Sequence, residues 1–486
     1  MPIQFNQIPL SILVPGAYAE VDPSAARQGA AVEPKRVIFL GQKISGGSAT
    51  NLTPYLVSSA TQAAELFGQG TPIHHMIARF KENNSVTETW AMSMAEDGSG
   101  VVAAGDFTFT GTATKAGVVY AYIGGRRVLA PVAVGDGAAD VAASLTAAIS
   151  ADGDSYVTAA TDSTTTDVTS KWKGASANKV DLRLNYYPGE ALPEGITCVV
   201  TQMSSGAADP DVGTAIAAMG SETQYTTWVM PFVDTANLVD LETELEARWS
   251  PPRSIPGIAF AANVDSYANN ASFGAARNSP HLIVMACPSM PSPPWEVAAA
   301  VAAREALLSD PARPRHDLRL SGIMPPAEGA IFDWSERNTL LGVGMSTFKV
   351  ISGVVYVERL VTQYQENPQG YDDDALMDIE TMRNLAAISY ALRVRFAVKY
   401  ATAKLAADGT KFGAGQLVLT PSIARSEVYG LFRQWELNGQ VQDFDSFKSE
   451  LIIEIDPNIA GRLNILLPPK LIDQLRVTAA RIAFKK

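Results

Sequence analysis

Cysteine is almost missing from this sequence: Cys198 and Cys287 are the only two in 486 residues. That excludes a disulfide framework and leaves no Cys-rich metal site. Histidine is nearly as scarce, with His74, His75, His281 and His316. His74 and His75 are neighbours, about 100° apart on a helix, and cannot chelate one ion as an i, i+4 pair would. No run approaches ~20 uninterrupted apolar residues, so no membrane-spanning helix and no membrane insertion are expected. The opening MPIQFNQIPLSILVPGAY lacks the basic start and small-residue cleavage site of a secretory signal, which points to synthesis in the cytoplasm. Neither a phosphate loop nor a G-x-S-x-G elbow is found. Gly342-x-Gly344 has no third glycine in register and leads into a strand rather than a helix. Asp372-Asp373-Asp374 lacks the spaced ligands and closing Glu of a calcium loop and reads as a solvated acidic linker. No catalytic, cofactor-binding or metal-binding residue is assigned, and no cofactor is expected.

What is present is ample material for ordinary cores, with 47% hydrophobic residues, over a length that calls for two to four domains. The net charge of −12 weighs against direct nucleic-acid binding. The charge is uneven. Between Leu376 and Lys486 lie 15 Lys and Arg against 11 Asp and Glu, a local +4 that leaves −16 for residues 1–375. Ordinary solvated surface explains this; so does a polymer whose basic end meets acidic surface or an acidic partner. Arg393, Arg395 and Lys399 are the candidates to face such a partner. Arg393 and Arg395 lie about 200° apart around a helix, so at most one of them can do so.

Ile8, Leu10, Ile12 and Val14 alternate as a strand does, with no hairpin mate nearby in the sequence. Residues 1–22 therefore read as an arm. An α/β body follows over residues 23–94 and 209–341, with short buried strands such as Val37–Gly41 and Leu282–Met285 spaced by helices. That pattern suggests an open, mostly parallel sheet. Residues 95–208, rich in Ala, Gly, Thr and Val, read as a separate β-rich domain inserted in the body, facing outward and dispensable for polymerisation. Gly124-Gly125 and Pro188-Gly189 mark turns there. Asp378–Lys404 has apolar residues at three-to-four spacing, an amphipathic helix of about seven turns. Ile423–Leu437 is a second helix, and Ser449–Asp456, Arg462–Leu467 and Gln474–Phe484 read as late strands.

The stretch Gly342–Tyr364 is expected to organise the rest. Thr347–Ile351 and Val354–Tyr364 flank Ser352-Gly353, a strong two-residue hairpin signal. Phe348, Val350, Val355 and Val357 lie in this hairpin, and the second run is apolar on both faces, as in a sheet covered on both sides. The hairpin is read as opening a C-terminal domain of residues 342–467, followed by an arm of residues 468–486. In that arm Leu475 and Val477 alternate, then Ile482 and Phe484 take over one position later, which suggests a bulge. Pro468-Pro469 cannot donate ladder bonds and would isolate the arm from the strand before it.

Longer strings carry a resemblance: ARNSPHLIVMA (Ala276–Ala286), PSPPWEVAAAVAA (Pro291–Ala303), SERNTLLGVGMSTF (Ser335–Phe348), DGTKFGAGQLVLTP (Asp408–Pro421) and RLNILLPPKLIDQLRVTAARIAF (Arg462–Phe484). In this order they resemble the tail sheath proteins of Mu-like contractile-tailed phages. The resemblance extends through the insertion, with AYIGGRRV (Ala121–Val128). It implies a structural virion protein, not an enzyme, that stacks as hexameric rings around a tail tube and contracts to drive the tube through the host envelope. It also implies a body of subtilisin-like topology within a fold that is α+β overall. Terminal arms would complete the C-terminal α+β domains of neighbouring subunits, with Ile8, Leu10, Ile12, Val14, Leu475, Val477, Ile482 and Phe484 as strand candidates in a sheet organised around the hairpin. Its partners would be itself, the tail tube protein, and baseplate and tail terminator proteins. The alternatives are the sheath of a phage-derived injection device, a tube or baseplate protein, and an α/β hydrolase-like enzyme.

Overall fold

Helices and strands alternate from the first described segment onward in the computed structural model, which describes residues 31–413 and 415–485. The expected arm strand at Ile8, Leu10, Ile12 and Val14 lies outside the described residues. The body begins with β1 (Arg36–Gln42), β2 (Tyr55–Leu56), α1 (Ala60–Phe67), α2 (Pro72–Asn83) and β3 (Glu88–Met94). Thr71 caps α2 by accepting from the His74 N–H, and Pro72 occupies the first turn, where a missing N–H costs nothing. The insertion supplies β4 (Val102–Gly111), β5 (Gly117–Ile123), β6 (Arg126–Val132), α3 (Ala138–Ala151), β7 (Val157–Asp162), β8 (Thr165–Lys173), β9 (Leu182–Leu184) and β10 (Ile196–Ser204). The body resumes with α4 (Val212–Met219), β11 (Thr227–Val229), α5 (Thr235–Trp249), β12 (Ile258–Val264), α6 (Tyr267–Ala275), β13 (Leu282–Cys287) and α7 (Pro294–Ala306). It continues through β14 (Leu318–Arg319), α8 (Trp334–Gly342), β15 (Met345–Ile351) and β16 (Val354–Arg359).

Nine strands make one sheet, ordered β14-β16-β15-β13-β12-β11-β1-β3-β2. The run from β15 to β3 is parallel throughout, with antiparallel strands at both margins. Side chains alternate across a strand, and here both faces are buried. Val37 and Phe39 enter one core while Ile38 and Leu40 enter the other. α2 and α7 cover the first face, and α4, α5 and α8 the second.

The insertion forms a four-stranded sheet, β10-β4-β8-β7, and a three-stranded one, β6-β5-β9. It is not a separate module, as the sequence suggested. Its core is continuous with that of the body, and Trp172 and Tyr156 meet Trp295 of α7 edge-on with centroids 5.7 Å apart in each case. Removing the insertion would expose Trp295, part of the body's own core.

The hairpin also sits elsewhere than expected. Ser352 and Gly353 turn it with φ of 51° and 74°, the mirror-type turn that matches strand twist. Phe348 faces Val357 and Val350 faces Val355 across the ladder, with Phe348, Val355 and Val357 buried and Val350 half-buried. β15 pairs with β13 and β16 pairs with β14, so the hairpin completes the body sheet. It neither opens the C-terminal unit at Gly342 nor keeps a free edge around which a shared sheet could be organised. Only one face of β16 is fully covered, since Val354 and Tyr356 stay half-exposed.

The chain divides into two compact units, one of residues 34–386 with 473–485 and one of residues 387–472. The division falls inside α9 (Ile379–Lys399), which stops one turn before the expected Lys404. The second unit then holds β17 (Lys404–Leu405), β18 (Val418–Leu419), α10 (Pro421–Leu437), β19 (Val441–Gln442), α11 (Phe444–Glu450), β20 (Ile452–Ile455), β21 (Leu463–Leu466) and β22 (Lys470–Leu471). The strand expected from Ser449 begins only at Ile452. Asp443 caps α11, and Phe447 stacks on Phe432 of α10 with centroids 4.1 Å apart, which draws that stretch into helix.

Within the first unit, the carboxylate of Glu305 on α7 is fully buried. It takes Arg383 at 2.9 Å and Arg315 at 3.4 Å. Arg383 also donates to the Thr226 carbonyl at 2.7 Å, tying the first turns of α9 to the sheet. Burial pushes the Glu305 carboxyl up, but Arg383, Arg315 and Lys35 outweigh it and hold it at about 2. That lies below the ordinary carboxylate value, so its stabilisation is complete above that value and lost as pH falls towards 2. Glu305→Gln leaves two arginines short of a counter-charge and is expected to cost about 3–5 kcal/mol at neutral pH. Urea midpoints between pH 6 and pH 3 should fall less steeply for the variant than for the natural protein. Identical pH slopes would show that the ion cluster contributes nothing to acid sensitivity.

Candidate assembly interface

The most enzyme-like cluster in the structure is a closed clamp. Arg79 of α2 pairs with Glu296 of α7 at 2.6 Å, and Tyr156 of the insertion donates to the other carboxylate oxygen. His75 lies 3.8 Å from Glu296 and its other ring nitrogen meets the Asp154 carbonyl at 2.8 Å. Burial pushes the His75 imidazole down to about 4. Burial also pushes the Glu296 carboxyl up, yet Arg79 and His75 hold it below its ordinary value. Glu296, His75 and Tyr156 are all buried, so the groups bond one another and lock the insertion onto α2 and α7. Residues 79, 156 and 296 carry no sequence signal of this convergence. Among the described residues no group of His, Cys, Asp and Glu is arranged to hold a metal ion. No described helix is long and apolar enough to cross a membrane.

In the second unit, Glu427 of α10 gathers two of the three cations singled out on α9. Arg395 reaches it at 3.2 Å, Lys399 donates to it, and the Tyr400 hydroxyl donates at 2.9 Å. Burial pushes the Glu427 carboxyl up, but Lys399, Tyr400 and Arg395 bring it below its ordinary value. Arg395 is thereby half-buried, whereas Arg393 is exposed with its guanidinium 5.8 Å from the Tyr390 ring. α10 itself carries a continuous buried stripe of Ala424, Val428, Leu431, Phe432 and Trp435.

Two ribbons of this unit have open margins. β20 pairs only with β21, and β19 only with β22, among the described residues. Ile452 and Leu466, opposite one another in the first ribbon, are more than half exposed. Unpaired strand edges of this kind accept an added strand.

Residues 473–485 form no strand among the described residues, so the ladder expected for Gln474–Phe484 is not made within this chain. Leu475, Val477, Ile482 and Phe484 are 76%, 82%, 89% and 78% exposed. Four apolar side chains held in water along one short segment mark a surface that binds something. Only the root of the segment is held. Gln474 donates to the Ala312 carbonyl at 3.2 Å, and Arg476 pairs with Asp378 at 2.8 Å.

Comparison with known proteins accounts for a chain with a clamped core and an exposed apolar terminus. Residues 205–363 match the model of the phage tail sheath protein central domain, and residues 371–485 that of the phage tail sheath C-terminal domain. The chain is 38% identical over 487 residues to the Mu-like prophage FluMu tail sheath protein of Haemophilus influenzae, with 100% of each covered. A chain in a cryo-EM structure of the anti-feeding prophage baseplate shares the fold at TM-score 0.50 and 11% identity, over 97% of this chain and 99% of that one. The crystal structure of a sheath tail protein from Desulfitobacterium hafniense aligns at TM-score 0.47 and 11% identity, over 94% of this chain and 100% of that one. The chain belongs to the phage tail sheath family.

Proposed function

We propose that this protein is the structural subunit of a contractile tail sheath. It polymerises as stacked hexameric rings around a tail tube, and contraction drives the tube through a host envelope during genome ejection. The relation that spans the whole of a Mu-like prophage tail sheath protein carries this reading. That relative is a prophage product, so an intact phage and a phage-derived injection device both fall within it. The protein would be assembled in the host cytoplasm and reside in the virion tail, meeting tube, baseplate and terminator proteins.

In this reading the body is of subtilisin-like topology, which its parallel sheet with helices on both faces supports, and the insertion lies on the outside of the tail. Residues 473–485 are an arm given to a neighbour, and the open ribbons of the second unit are where a neighbour's arms add as strands. Residues 1–22, with Ile8, Leu10, Ile12 and Val14, form the second arm. Support comes from the exposure of Leu475, Val477, Ile482 and Phe484 together with ribbons whose margins are unpaired among the described residues. Of the three basic candidates for tube contact, Arg393 is favoured, because Glu427 occupies Arg395 and Lys399.

Negative-stain microscopy of the purified protein tests the main reading, with tubes of sheath-like width expected. Ile482 and Phe484 would each contribute ~1.5–3 kcal/mol if fully buried by a neighbour. Ile482→Asp with Phe484→Asp should therefore give monomers with unchanged circular dichroism and no tubes; contractile tubes from this variant would remove the arm's role. Trypsin should cut after Arg481 readily in the monomer and slowly in the assembled sheath, and equal rates in both would argue against docking. Arg393→Glu should weaken attachment to the tube, with the loss narrowing as salt screens the interaction; attachment equal to the natural protein at every salt concentration would exclude Arg393.

A further inference from the structure

Among the described residues, Arg476 is the charged side chain of the terminal segment that grips the body. Its guanidinium meets Asp378 at 2.8 Å and lies 3.7 Å from the buried Oε2 of Glu380, an oxygen with no hydrogen bond of its own. Both carboxylates are anchored independently of it. Asp378 also takes Arg359, at the end of β16, at 2.9 Å, and the other Glu380 oxygen accepts from the Arg315 N–H at 2.6 Å. Losing Arg476 would break no bond within the rest of the body, since Asp378 keeps Arg359 and Glu380 keeps the Arg315 N–H, although the buried Glu380 Oε2 would lose its ion-pair contact. The reverse does not hold. Beyond Arg476, residues 477–485 are exposed and make no strand, so their direction of exit is set at Gln474 and Arg476.

We infer that Arg476 is a positioning residue, a releasable electrostatic latch that fixes the root of the terminal segment on its own subunit and presents the apolar stretch beyond it for capture by a second copy of this chain. This rests on the reading of that segment as an inter-subunit arm. The pairing is suited to release. The Arg476 side chain is 28% exposed, within reach of water and salt, and Arg359 remains to neutralise Asp378 when it leaves. A latched segment starts assembly with less orientational freedom to lose, so binding is stronger for the same contacts.

The full-length chain bearing Cys198→Ser and Leu475→Cys, labelled with a nitroxide at position 475, reports the latch directly, since Cys287 is fully buried. Arg476→Met should shorten the label's rotational correlation time about three- to fivefold, and raising salt from ~0.05 to ~1 M should do the same with Arg476 in place. Arg476→Lys should restore most of the slow motion. Equal label mobility with and without Arg476→Met, in chains of unchanged circular dichroism, overturns the latch. In unlabelled protein the critical concentration for tube formation should rise about threefold for Arg476→Met; an unchanged value with a mobile label overturns its part in assembly. If the natural chain forms no tubes while the label behaves as expected, the sheath reading fails and the latch stands.

Discussion

One helix, α7, has almost nowhere to meet water, and the body is arranged around that constraint. Every residue of Pro294–Ala306 except Arg304 is buried. Its run of alanines lets α2 and the sheet approach closely on different sides. Yet it carries Glu296 and Glu305, whose nine-residue spacing puts them about 180° apart. A buried carboxylate is tolerated only when paired and fully bonded. Glu296 thereby recruits Arg79 and Tyr156, which fastens the insertion, while Glu305 recruits Arg315 and Arg383, which fastens the start of α9. Two desolvation problems on one helix become the two points that hold distant parts of the chain to the sheet.

This accounts for the contrast between a body whose α7 carboxylates are paired and a terminus that leaves apolar side chains in water. Burying Phe484 or Ile482 against its own subunit would be favourable in isolation, so their exposure in a single chain is informative. A polymer needs units that are complete except at the surfaces where they join. The cluster of His75, Tyr156, Arg79 and Glu296 has the side chains of acid–base chemistry, but these groups bond one another, and His75, Tyr156 and Glu296 are buried while Arg79 reaches the surface beside Glu82.

Much of the local structure was legible beforehand. The turn at Ser352-Gly353 is stated by Gly, which accepts positive φ at no steric cost. Helix Val212–Met219 and strand Leu282–Met285, which extends to Cys287 in the structure, follow from periodicity and punctuation, which act over a few residues. The errors came where a distant partner overruled the local signal. The hairpin was assigned to the C-terminal domain because nothing within Gly342–Tyr364 says that β13 lies beside β15. The strand read from Ser449 starts only at Ile452, because the helix over Phe444–Glu450 depends on Phe447 finding Phe432. The insertion read as independent, because the tryptophan that binds it, Trp295, lies almost ninety positions beyond its end.

The sequence by itself determined most of the body's strands and helices, such as Arg36–Gln42 and Val212–Met219, and, through long shared strings, the family. Those properties reside in neighbouring residues and their order. Tertiary structure alone decided which charges are spent and which are offered. Arg393 and Arg395 are equivalent in sequence, yet only one meets Glu427; Arg476 is one basic residue among several until Asp378 and Glu380 are placed beside it. Pairing of charges depends on separations of a few ångströms between residues tens to hundreds of positions apart, and that distance is created only when the sheet closes and α7 is buried.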